Sequence, residues 1–489
     1  MNSVVGWEEI DLSVPVAAFF SAVAERPYSF FLDSGMVSAK LGRYSFLGWD
    51  PFLVLWSKDG HIEMRQEGQV LRSQGDPWEA LQELLNEYTL PAGMGTHPSS
   101  QGVPPLLGGA VGYLAYDLGR FIEQLPRTTV DDLRLPDYVL GFYDVVLIVD
   151  HLQEKTYLAS CGFPAQGPAR LKRAAIRLRE VREQIQQFLG QFDPPSPRRS
   201  PASSSTNADP TGVEISSNFT KPDYLRAIER AKEYIAAGDI YQVNLSQRLC
   251  AELRVPPYQL YYRLRTINPA PFAAYLNLGE DGIIASASPE RFLRYFAATR
   301  RMQTRPIKGT RPRGRTPRED AALARELRAS EKDRAEHLMI VDLERNDLGR
   351  VAEIGSVRVS EFEILETYPT VFHLTSTVEG TLAPQYDRVA LLRAMFPGGS
   401  ITGAPKIRSM EIIDELEPTQ RGVYTGSIGY LSFTGEVDLS IVIRTFILKD
   451  GQAYFQVGGG IVADSDPEAE YEETLDKAQA LIAAVSSAE

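Results

Sequence analysis

One lysine stands between two residues that restrict the backbone, in the stretch Thr304–Thr310, which reads Thr-Arg-Pro-Ile-Lys-Gly-Thr. Pro306 fixes its own φ angle, and Gly309 admits conformations closed to other residues, so the loop predicted here presents Lys308 in a defined way. A neutral lysine amine is a nucleophile. Most loop lysines are simply solvated, so a catalytic role for Lys308 requires other groups that act with it.

A first candidate partner lies on a helix predicted from Ser330 to Leu348. Ser330, with Asp333 three residues later, is typical of a helix N-terminus. Apolar residues leave little of the middle of this helix polar, so we expect the helix to be buried. It nevertheless carries Glu336 and His337. A buried carboxylate needs a cation or strong donors, so Glu336 is either a structural ion pair or part of a functional site.

A second set of charges lies on the predicted C-terminal helix, which begins at Asp466. Glu470, Glu473 and Lys477 follow the spacing i, i+3 and i+7 and share one stripe of this helix. A solvated, salt-bridged face is the usual interpretation of such a stripe. The preceding run Gln456–Val462 contains three consecutive glycines, and backbone amides leading to a helix start favour an anion.

Two further segments offer cationic and backbone donors. Arg444 interrupts an otherwise mostly apolar strand predicted from Leu439 to Leu448, where it is either a substrate clamp or a core ion pair. The segment Phe396–Lys406 is rich in Gly and Pro and leads into a helix.

With five His and no metal-spaced Cys, the acidic residues favour a hard divalent ion, Mg²⁺, over zinc.

The chain divides by composition into three parts. Residues 1–190 mix short β-rich runs with helices, residues 191–217 are rich in Pro and Ser, and residues 218–489 have a denser pattern of strands and helices. The middle part is predicted to be a linker or a surface excursion. The Gly-rich run 107–113 lacks the Lys-Ser/Thr ending of a phosphate loop, so tight strand packing is its expected role.

Composition narrows the class of protein. The formal net charge of −13 argues against nucleic-acid or anionic-membrane partners. Hydrophobic residues make up 43% and charged residues 24%, as in ordinary globular proteins. Cys161 and Cys250 form no disulfide framework. No window approaches the length of an apolar membrane span, so we expect an unanchored, cytoplasmic protein.

Several long motifs together resemble the chorismate-utilising enzymes. The resemblance covers residues 218–484 and, more loosely, Asp33-Ser34 and Arg43–Gly48 in the N-terminal part. It implies an α/β (α+β) fold, a large and mostly antiparallel β-sandwich with flanking helices to which the N-terminal part contributes strands. The motifs that carry it are Tyr241–Ser246, Ser288–Phe292, Ala335–Asp347, Pro397–Lys406 and Gly458–Ser465.

The resemblance also implies roles for individual residues around one bound chorismate. Mg²⁺ would bind the ring carboxylate and be held by Glu336 and Glu473, with Glu470 in or next to its shell. Glu290 would protonate the departing C4 hydroxyl, as a poor leaving group requires. The enolpyruvyl carboxylate and the ring would be contacted by Arg444, Tyr424, the amides near Gly458 and Gly460, Lys477, Ser400 and His373.

Within this resemblance, Lys308 is the residue that best distinguishes the possible products. Pro306–Thr310 looks like the aminodeoxychorismate synthase branch, on the route to 4-aminobenzoate and folate, whereas anthranilate synthases typically carry Ala where Lys308 stands. Lys308 would attack C2 of the ring, and nearby Arg305 and Arg311 would help to lower its pKa. Isochorismate and salicylate synthases have a lysine base where Gln242 stands, and Gln242 cannot deprotonate water. A non-catalytic chorismate- or tryptophan-binding subunit would be expected to lack one of the acidic residues.

Two further expectations follow from the family. Neither cysteine lies in a convincing glutaminase motif, so a separate glutamine amidotransferase subunit is the expected source of ammonia. Anthranilate-type relatives bind tryptophan in an N-terminal pocket. A candidate tryptophan pocket here contains Asp33, Ser34 and Pro271, although those relatives usually have Glu where Asp33 stands.

Overall fold

The computed structural model describes residues 6–36, 41–90, 103–191, 213–368 and 371–487. The helices are α1 Val16–Phe20, α2 Pro77–Glu87, α3 Gly167–Gln191, α4 Lys221–Ala236, α5 Pro257–Ile267, α6 Pro317–Ala329, α7 Glu331–Gly349, α8 Arg388–Met395, α9 Lys406–Leu416 and α10 Pro467–Ser486. Short 3₁₀ turns lie at Tyr116–Phe121, Gly279–Asp281 and Gly399–Ile401.

The first twelve strands lie before residue 253. They are β1 Gly6–Ile10, β2 Phe30–Asp33, β3 Tyr44–Gly48, β4 Leu53–Lys58, β5 His61–Gln66, β6 Gln69–Gln74, β7 Gly109–Leu114, β8 Tyr138–Tyr143, β9 Val145–Asp150, β10 Lys155–Ser160, β11 Ile215–Ser217 and β12 Gln242–Glu252.

The other twelve strands occupy the remainder of the described chain. They are β13 Phe272–Asn277, β14 Ile283–Ser288, β15 Arg291–Phe296, β16 Arg301–Arg305, β17 Ile307–Pro312, β18 Arg358–Thr367, β19 Val371–Thr381, β20 Gly403–Ala404, β21 Ser427–Ser432, β22 Val437–Ile441, β23 Thr445–Lys449 and β24 Gln452–Ile461.

The strands form two sheets of twelve. The first has the order β1-β10-β9-β3-β2-β13-β14-β23-β24-β12-β11, with β20 paired to β12, and the second has the order β17-β19-β16-β15-β22-β21-β7-β8-β4-β5-β6, with β18 paired to β19. Early strands pair antiparallel with late ones in both sheets, β2 with β13 and β7 with β21. Each sheet therefore depends on both ends of the chain.

The apolar residues of the first sheet alternate between two cores. Phe30 belongs to the large core shared with the second sheet, whereas Phe31, the next residue of β2, packs with α1, α5 and α10. This alternation is the period of a strand buried on both faces. The predicted fold class, a mostly antiparallel sandwich with flanking helices, is confirmed.

Several local predictions differ from the structure. Residues 192–212 of the predicted linker lie outside the described residues, but Ile215–Ser217 at its end is β11, paired with β12. The strand predicted from Leu439 to Leu448 is two strands, because the chain turns at Arg444, where φ is +55°. The helix expected to be buried, α7, is buried along one face only: Leu338 is 55% exposed while Ile340 is fully buried.

The Gly-rich run near residue 110 packs as predicted. A Cβ on Gly112 of β7 would lie 1.9 Å from the carbonyl oxygen of Val139 in the neighbouring strand. No side chain fits at that distance, so glycine permits the β7–β8 approach. Among the described residues, no helix is long and apolar enough to cross a membrane.

Candidate active site

Lys308 lies on an edge strand and not on the predicted loop. β17 pairs with β19, and the register shifts between Lys308 and Thr310, so Gly309 forms a bulge with φ +79°. A Cβ on Gly309 would lie 2.9 Å from Leu327 of α6 and 3.2 Å from Asp333 of α7. Glycine therefore allows the two helices to cover the strand that carries the lysine.

The Lys308 amine is surrounded by charged groups from distant parts of the chain. Burial lowers its pKa, and the ammonium of Lys477 lowers it further, while Glu336, Glu290 and Glu473 act in the opposite direction. The structure thus brings together five residues that the sequence predicted separately. Arg305 and Arg311 are not the cations responsible, since Arg305 pairs with Glu366 and Glu361, and Arg311 with Glu326 and Asp333.

Glu290 lies in the turn between β14 and β15 and is 5% exposed. Its Oε1 accepts a hydrogen bond from the backbone N–H of Ile307 at 3.3 Å. Burial raises the pKa of Glu290 to about 7, against the opposing effects of Ser400, Lys308 and Ile307. A carboxyl with this pKa holds a proton for a substantial part of the time at neutral pH, as a general acid must.

Three carboxylates of this region lie on α7 and α10. Glu336 is partly buried, and burial raises its pKa. Glu470 is 4% exposed, and its Oε1 accepts a hydrogen bond from Ser465 Oγ at 2.7 Å. The side chain of Glu473 is 49% exposed and pairs with Lys477 at 2.6 Å. Burial opposes its ionisation, but Lys477 outweighs burial and lowers the pKa of Glu473.

The donor chemistry of these carboxylates fits a hard divalent ion. A Cβ on Gly459 would lie 3.3 Å from Glu470 Oε2 and 3.8 Å from Glu473 Oε1, so the strand leaves a space into which both carboxylates point. Carboxylate oxygens are the ligands that Mg²⁺ takes in proteins. As arranged here, no three His, Cys, Asp or Glu among the described residues are close enough to hold one ion, and Lys332 lies 3.5 Å from Glu470.

The Gly458–Gly460 run belongs to a strand and does not lead directly into the C-terminal helix. It lies within β24 and pairs with β12, and α10 begins only at Pro467. A Cβ on Gly460 would lie 2.0 Å from Gln242 Nε2, and one on Gly458 would lie 2.9 Å from Asn244 Oδ1. The glycines thus make room for the polar side chains of β12. The Gly458 carbonyl accepts a hydrogen bond from Lys477 Nζ at 2.9 Å.

Gln242 is buried beside these glycines without its usual hydrogen bonds. Neither its Oε1 nor its Nε2 has a partner among the described residues, and the same holds for Asn244 Oδ1. An unpaired buried amide costs free energy. These atoms are therefore available to a polar ligand.

Arg444 lies in the turn between β22 and β23. Its Nη1 donates to the Lys477 carbonyl at 3.1 Å, and no described carboxylate pairs with it. Burial lowers the pKa of Arg444, and Tyr424 acts against that shift. Because a core ion pair would supply a carboxylate, the clamp interpretation is the one that the geometry favours.

His373 lies on β19, next to the bulge that Gly309 forms in β17. Its Nδ1 is 2.9 Å from Thr310 Oγ1. Burial, followed by the charge of Arg444, lowers the pKa of His373 to about 4. The ring is therefore neutral at physiological pH. Tyr424, which is 6% exposed, also lies near Arg444.

Three residues of this region were not predicted to belong to the site. Lys332 lies one helical turn before Glu336, a spacing that places both on one face of α7. Asn244 follows Gln242 by two residues on the same side of β12, which the alternation of polar residues indicated. Glu344 is 2% exposed. The one sequence feature that pointed to it was a carboxylate in a helix whose middle is mostly apolar.

The candidate tryptophan pocket is a separate cavity of about 990 Å³, lined in part by Asp33, Ser34 and Pro271. Asp33 already has partners, because Arg265 forms an ion pair with it and the Tyr261 hydroxyl donates to it at 3.0 Å. The Ser34 hydroxyl donates to the Tyr44 carbonyl at 2.6 Å. Of the three residues, none offers a free charge to an amino-acid ligand.

Comparison with known proteins gives a consistent family. The family described as chorismate binding enzyme matches residues 36–483. The chain is 42% identical over 453 residues to aminodeoxychorismate synthase component 1 of Bacillus subtilis, covering 92% of this chain and 91% of that protein. It is 43% identical over 480 residues to anthranilate synthase component 1 of Thermus thermophilus, covering 98% and 96%.

A solved structure is similar over nearly the same length. Anthranilate synthase component I from Streptococcus pneumoniae superposes with a TM-score of 0.74 at 33% identity, covering 91% of this chain and 94% of that one. The two curated relatives have different names at almost equal identity. Overall similarity therefore identifies the family and leaves the product to be argued from the site.

Proposed function

This chain belongs to the chorismate binding enzyme family, and on that premise we propose that it is component 1 of an aminodeoxychorismate synthase. It converts chorismate and ammonia to 4-amino-4-deoxychorismate and water. The observation that carries this proposal is the enclosed amine of Lys308, whose pKa is lowered by burial, next to the raised-pKa carboxyl of Glu290. Burial thus favours the neutral form of the amine and the protonated form of the acid, which are the forms that the reaction uses.

Substrate binding uses donors that several elements bring to the site. Arg444, with no described carboxylate partner, holds the enolpyruvyl carboxylate through its guanidinium fork. Tyr424 and Lys477 contribute donors on the same side, together with the backbone near Gly458 and Gly460. Ser400 and the neutral ring of His373 line the cyclohexadiene, and the unpaired amide of Gln242 faces its polar substituents.

The chemistry proceeds through a covalent bond to Lys308. The neutral Nζ attacks C2, the two ring double bonds shift, and the C4 hydroxyl leaves as water with the proton of Glu290. Ammonia then adds at C4, the double bonds shift back, and the C2–Nζ bond breaks. Lysine is regenerated, and the proton lost by the incoming nitrogen balances the one given to the hydroxyl.

The acidic residues are proposed to hold Mg²⁺. Glu336 and Glu473 would be its ligands, with Glu470 in or next to its shell. When bound, Mg²⁺ would supply positive charge at the ring carboxylate, which draws electron density from the ring and favours nucleophilic attack at C2. Lys332 pairs with Glu470, and Lys477 pairs with Glu473. Binding of Mg²⁺ therefore requires both ammonium groups to release these carboxylates.

Ammonia is proposed to come from a glutamine amidotransferase subunit, as the designation component 1 of the relatives suggests. Burial raises the pKa of the Cys161 thiol, which argues against a nucleophile at that position. Burial also raises the pKa of Cys250.

The second candidate is anthranilate synthase component 1, favoured by the 43% identity to the Thermus thermophilus protein. The two candidates are separated by Lys308, since anthranilate formation needs no amine at that place. Incubation of the purified chain with chorismate, MgCl₂ and ammonium at alkaline pH, followed by mass and chromatographic identification of the product, tests the choice. We expect 4-amino-4-deoxychorismate.

Lys308→Ala is the decisive variant, with Lys155→Ala as a matched control, because Lys155 is 45% exposed and pairs with Glu9 far from the site. Loss of C4 amination in the first variant alone supports the proposal. Anthranilate and pyruvate from the unmodified chain, or undiminished C4 amination by Lys308→Ala, would transfer the assignment to the second candidate or remove the lysine from the mechanism.

A further inference from the structure

Glu344 is a buried carboxyl that the proposed mechanism does not use. It lies on α7, eight residues after Glu336, and is 2% exposed. Its Oε1 accepts a hydrogen bond from the Gly399 backbone N–H at 3.1 Å. Its Oε2 is buried without a hydrogen-bond partner among the described residues. A buried oxygen without a hydrogen-bond partner lowers the stability of the folded protein, so its presence calls for an explanation.

Glu344 and Glu290 flank the same dipeptide. Glu344 is bonded to Gly399, and the next residue, Ser400, lies beside Glu290, where its hydroxyl lowers the pKa of that carboxyl. The Ser400 hydroxyl makes no hydrogen bond of regular geometry within the described chain. The charges of Glu290 and Glu344 also act on each other. The Gly399-Ser400 dipeptide thus bonds to one buried acid through its first residue and acts on the other through its second, while the Ser400 hydroxyl is free to donate and accept.

Two charged residues that act on Glu344 border a surface groove. Asp347, one turn later on α7, is 3% exposed and forms an ion pair with Lys406 of α9. The Lys406 ammonium also donates to the Met395 carbonyl at 3.1 Å. Asp347 and Lys406 line a surface groove of about 480 Å³. The groove thus lies next to charged groups that act on Glu344, and Glu344 in turn bonds to the residue before Ser400.

We propose that Glu344 is a positioning residue that returns a proton to Glu290 after each turnover. When Glu290 has given its proton to the departing hydroxyl, the Ser400 hydroxyl passes its proton to Glu290 and takes the proton of Glu344. The Glu344 carboxylate is then reprotonated from the groove, by water or by the Lys406 ammonium. The proton released as ammonia becomes an amine leaves to solvent, so each cycle is balanced.

The charges around Glu344 suit this role. Burial, followed by the negative charge of Asp347, raises the pKa of Glu344 to about 8, while Lys406 and the Gly399 amide act in the opposite direction. Arg350 acts on Asp347 from the end of the same helix. This shift favours the protonated form of Glu344 at neutral pH, and since Oε1 accepts from Gly399, the transferable proton belongs on the unpaired Oε2. Above pH 8 that proton is progressively lost.

The inference rests on the proposed role of Glu290 as the acid, and the test separates the two. Chorismate consumption by the full chain with MgCl₂ and ammonium is followed by rapid quench, so that the first turnover and the steady state are measured separately. Glu344→Gln retains an acceptor for Gly399 but cannot relay a proton. We expect an unchanged first turnover and a steady-state rate lower by roughly tenfold or more.

The other outcomes are equally informative. Equal rates for Glu344→Gln and the unmodified chain in both phases would overturn the relay, and so would a slower first turnover, which indicates that Glu344 only supports Gly399. Glu344→Asp withdraws the carboxyl by one methylene and should also slow the steady state alone, which keeps the test available if Glu344→Gln does not fold. A Glu290→Gln variant of undiminished rate would refute the acid itself and the relay with it.

Discussion

The backbone N–H of Ile307 donates to Oε1 of Glu290 at 3.3 Å, which holds the candidate acid next to the residue that precedes Lys308. The acid belongs to the turn after β14 and the lysine to the edge strand β17. One hydrogen bond therefore joins the group that would protonate the leaving hydroxyl to the strand that carries the nucleophile.

Replacing the acid should stop the reaction without unfolding the protein. Glu290→Gln keeps an acceptor for the Ile307 N–H but has no proton to give, so we expect the rate of chorismate consumption to fall by about 10²- to 10⁴-fold. Glu9→Gln is the control, since the Glu9 side chain is 55% exposed and distant. A Glu290→Gln enzyme with near-normal turnover would contradict the assignment.

Arg444 should strengthen the binding of chorismate without stabilising the fold. Its guanidinium is enclosed without a described carboxylate partner, and an unpaired buried charge is costly. Arg444→Met should therefore leave Tm unchanged or raise it, while KM for chorismate increases roughly 10- to 100-fold, as loss of a charge-assisted hydrogen bond predicts. Arg72→Met, at a side chain 74% exposed, should change neither. A fall in Tm with unchanged KM would show that Arg444 is structural.

Magnesium should stabilise the chain through the glutamates of α10. A ligand that binds only the folded state raises Tm with its concentration, so we expect Tm to rise on addition of MgCl₂ and fall back with EDTA. Glu473→Gln should reduce this shift at every Mg²⁺ concentration. Glu472→Gln is the matched neighbour, with a side chain 61% exposed and directed toward Lys221. Equal shifts for the two variants would argue against Glu473 as a ligand.

Two buried histidines should make the protein less stable at acidic pH. Burial lowers the pKa of both His337 and His373 to about 4, from an ordinary 6.5. Each neutral ring therefore contributes stability that is present above pH 6.5 and is lost as the pH falls toward 4. His337 is buried and bonded to Ser376 at 2.6 Å.

The corresponding measurement is a difference between variants across pH. His337→Gln should be less stable than the unmodified chain at pH 7, and the gap in Tm should shrink between pH 6.5 and pH 4, because only the unmodified chain must protonate the buried ring. His61→Gln, at an exposed position, should show no such trend. A gap that stays constant with pH would refute the lowered pKa of His337.

The sequence by itself determined several local elements, the family and the chemical groups of the candidate site. The cap at Ser330 starts α7 as predicted, since its hydroxyl accepts from the Asp333 N–H at 3.2 Å. The motifs that resemble chorismate-utilising enzymes identified the correct family, because chemically demanding residues recur there in fixed order. These features depend on spacings of a few residues, which the sequence displays directly.

Only the tertiary structure decided how those groups meet. The break at Arg444 and the strand conformation of Gly458–Gly460 depend on pairing with strands far away in the chain, which local composition does not report. The lowered pKa of Lys308 depends on burial and on Lys477, not on the arginines next to it in sequence. Register, burial and charge proximity are non-local, so the same residues acquire their chemistry only when the two sheets bring them together.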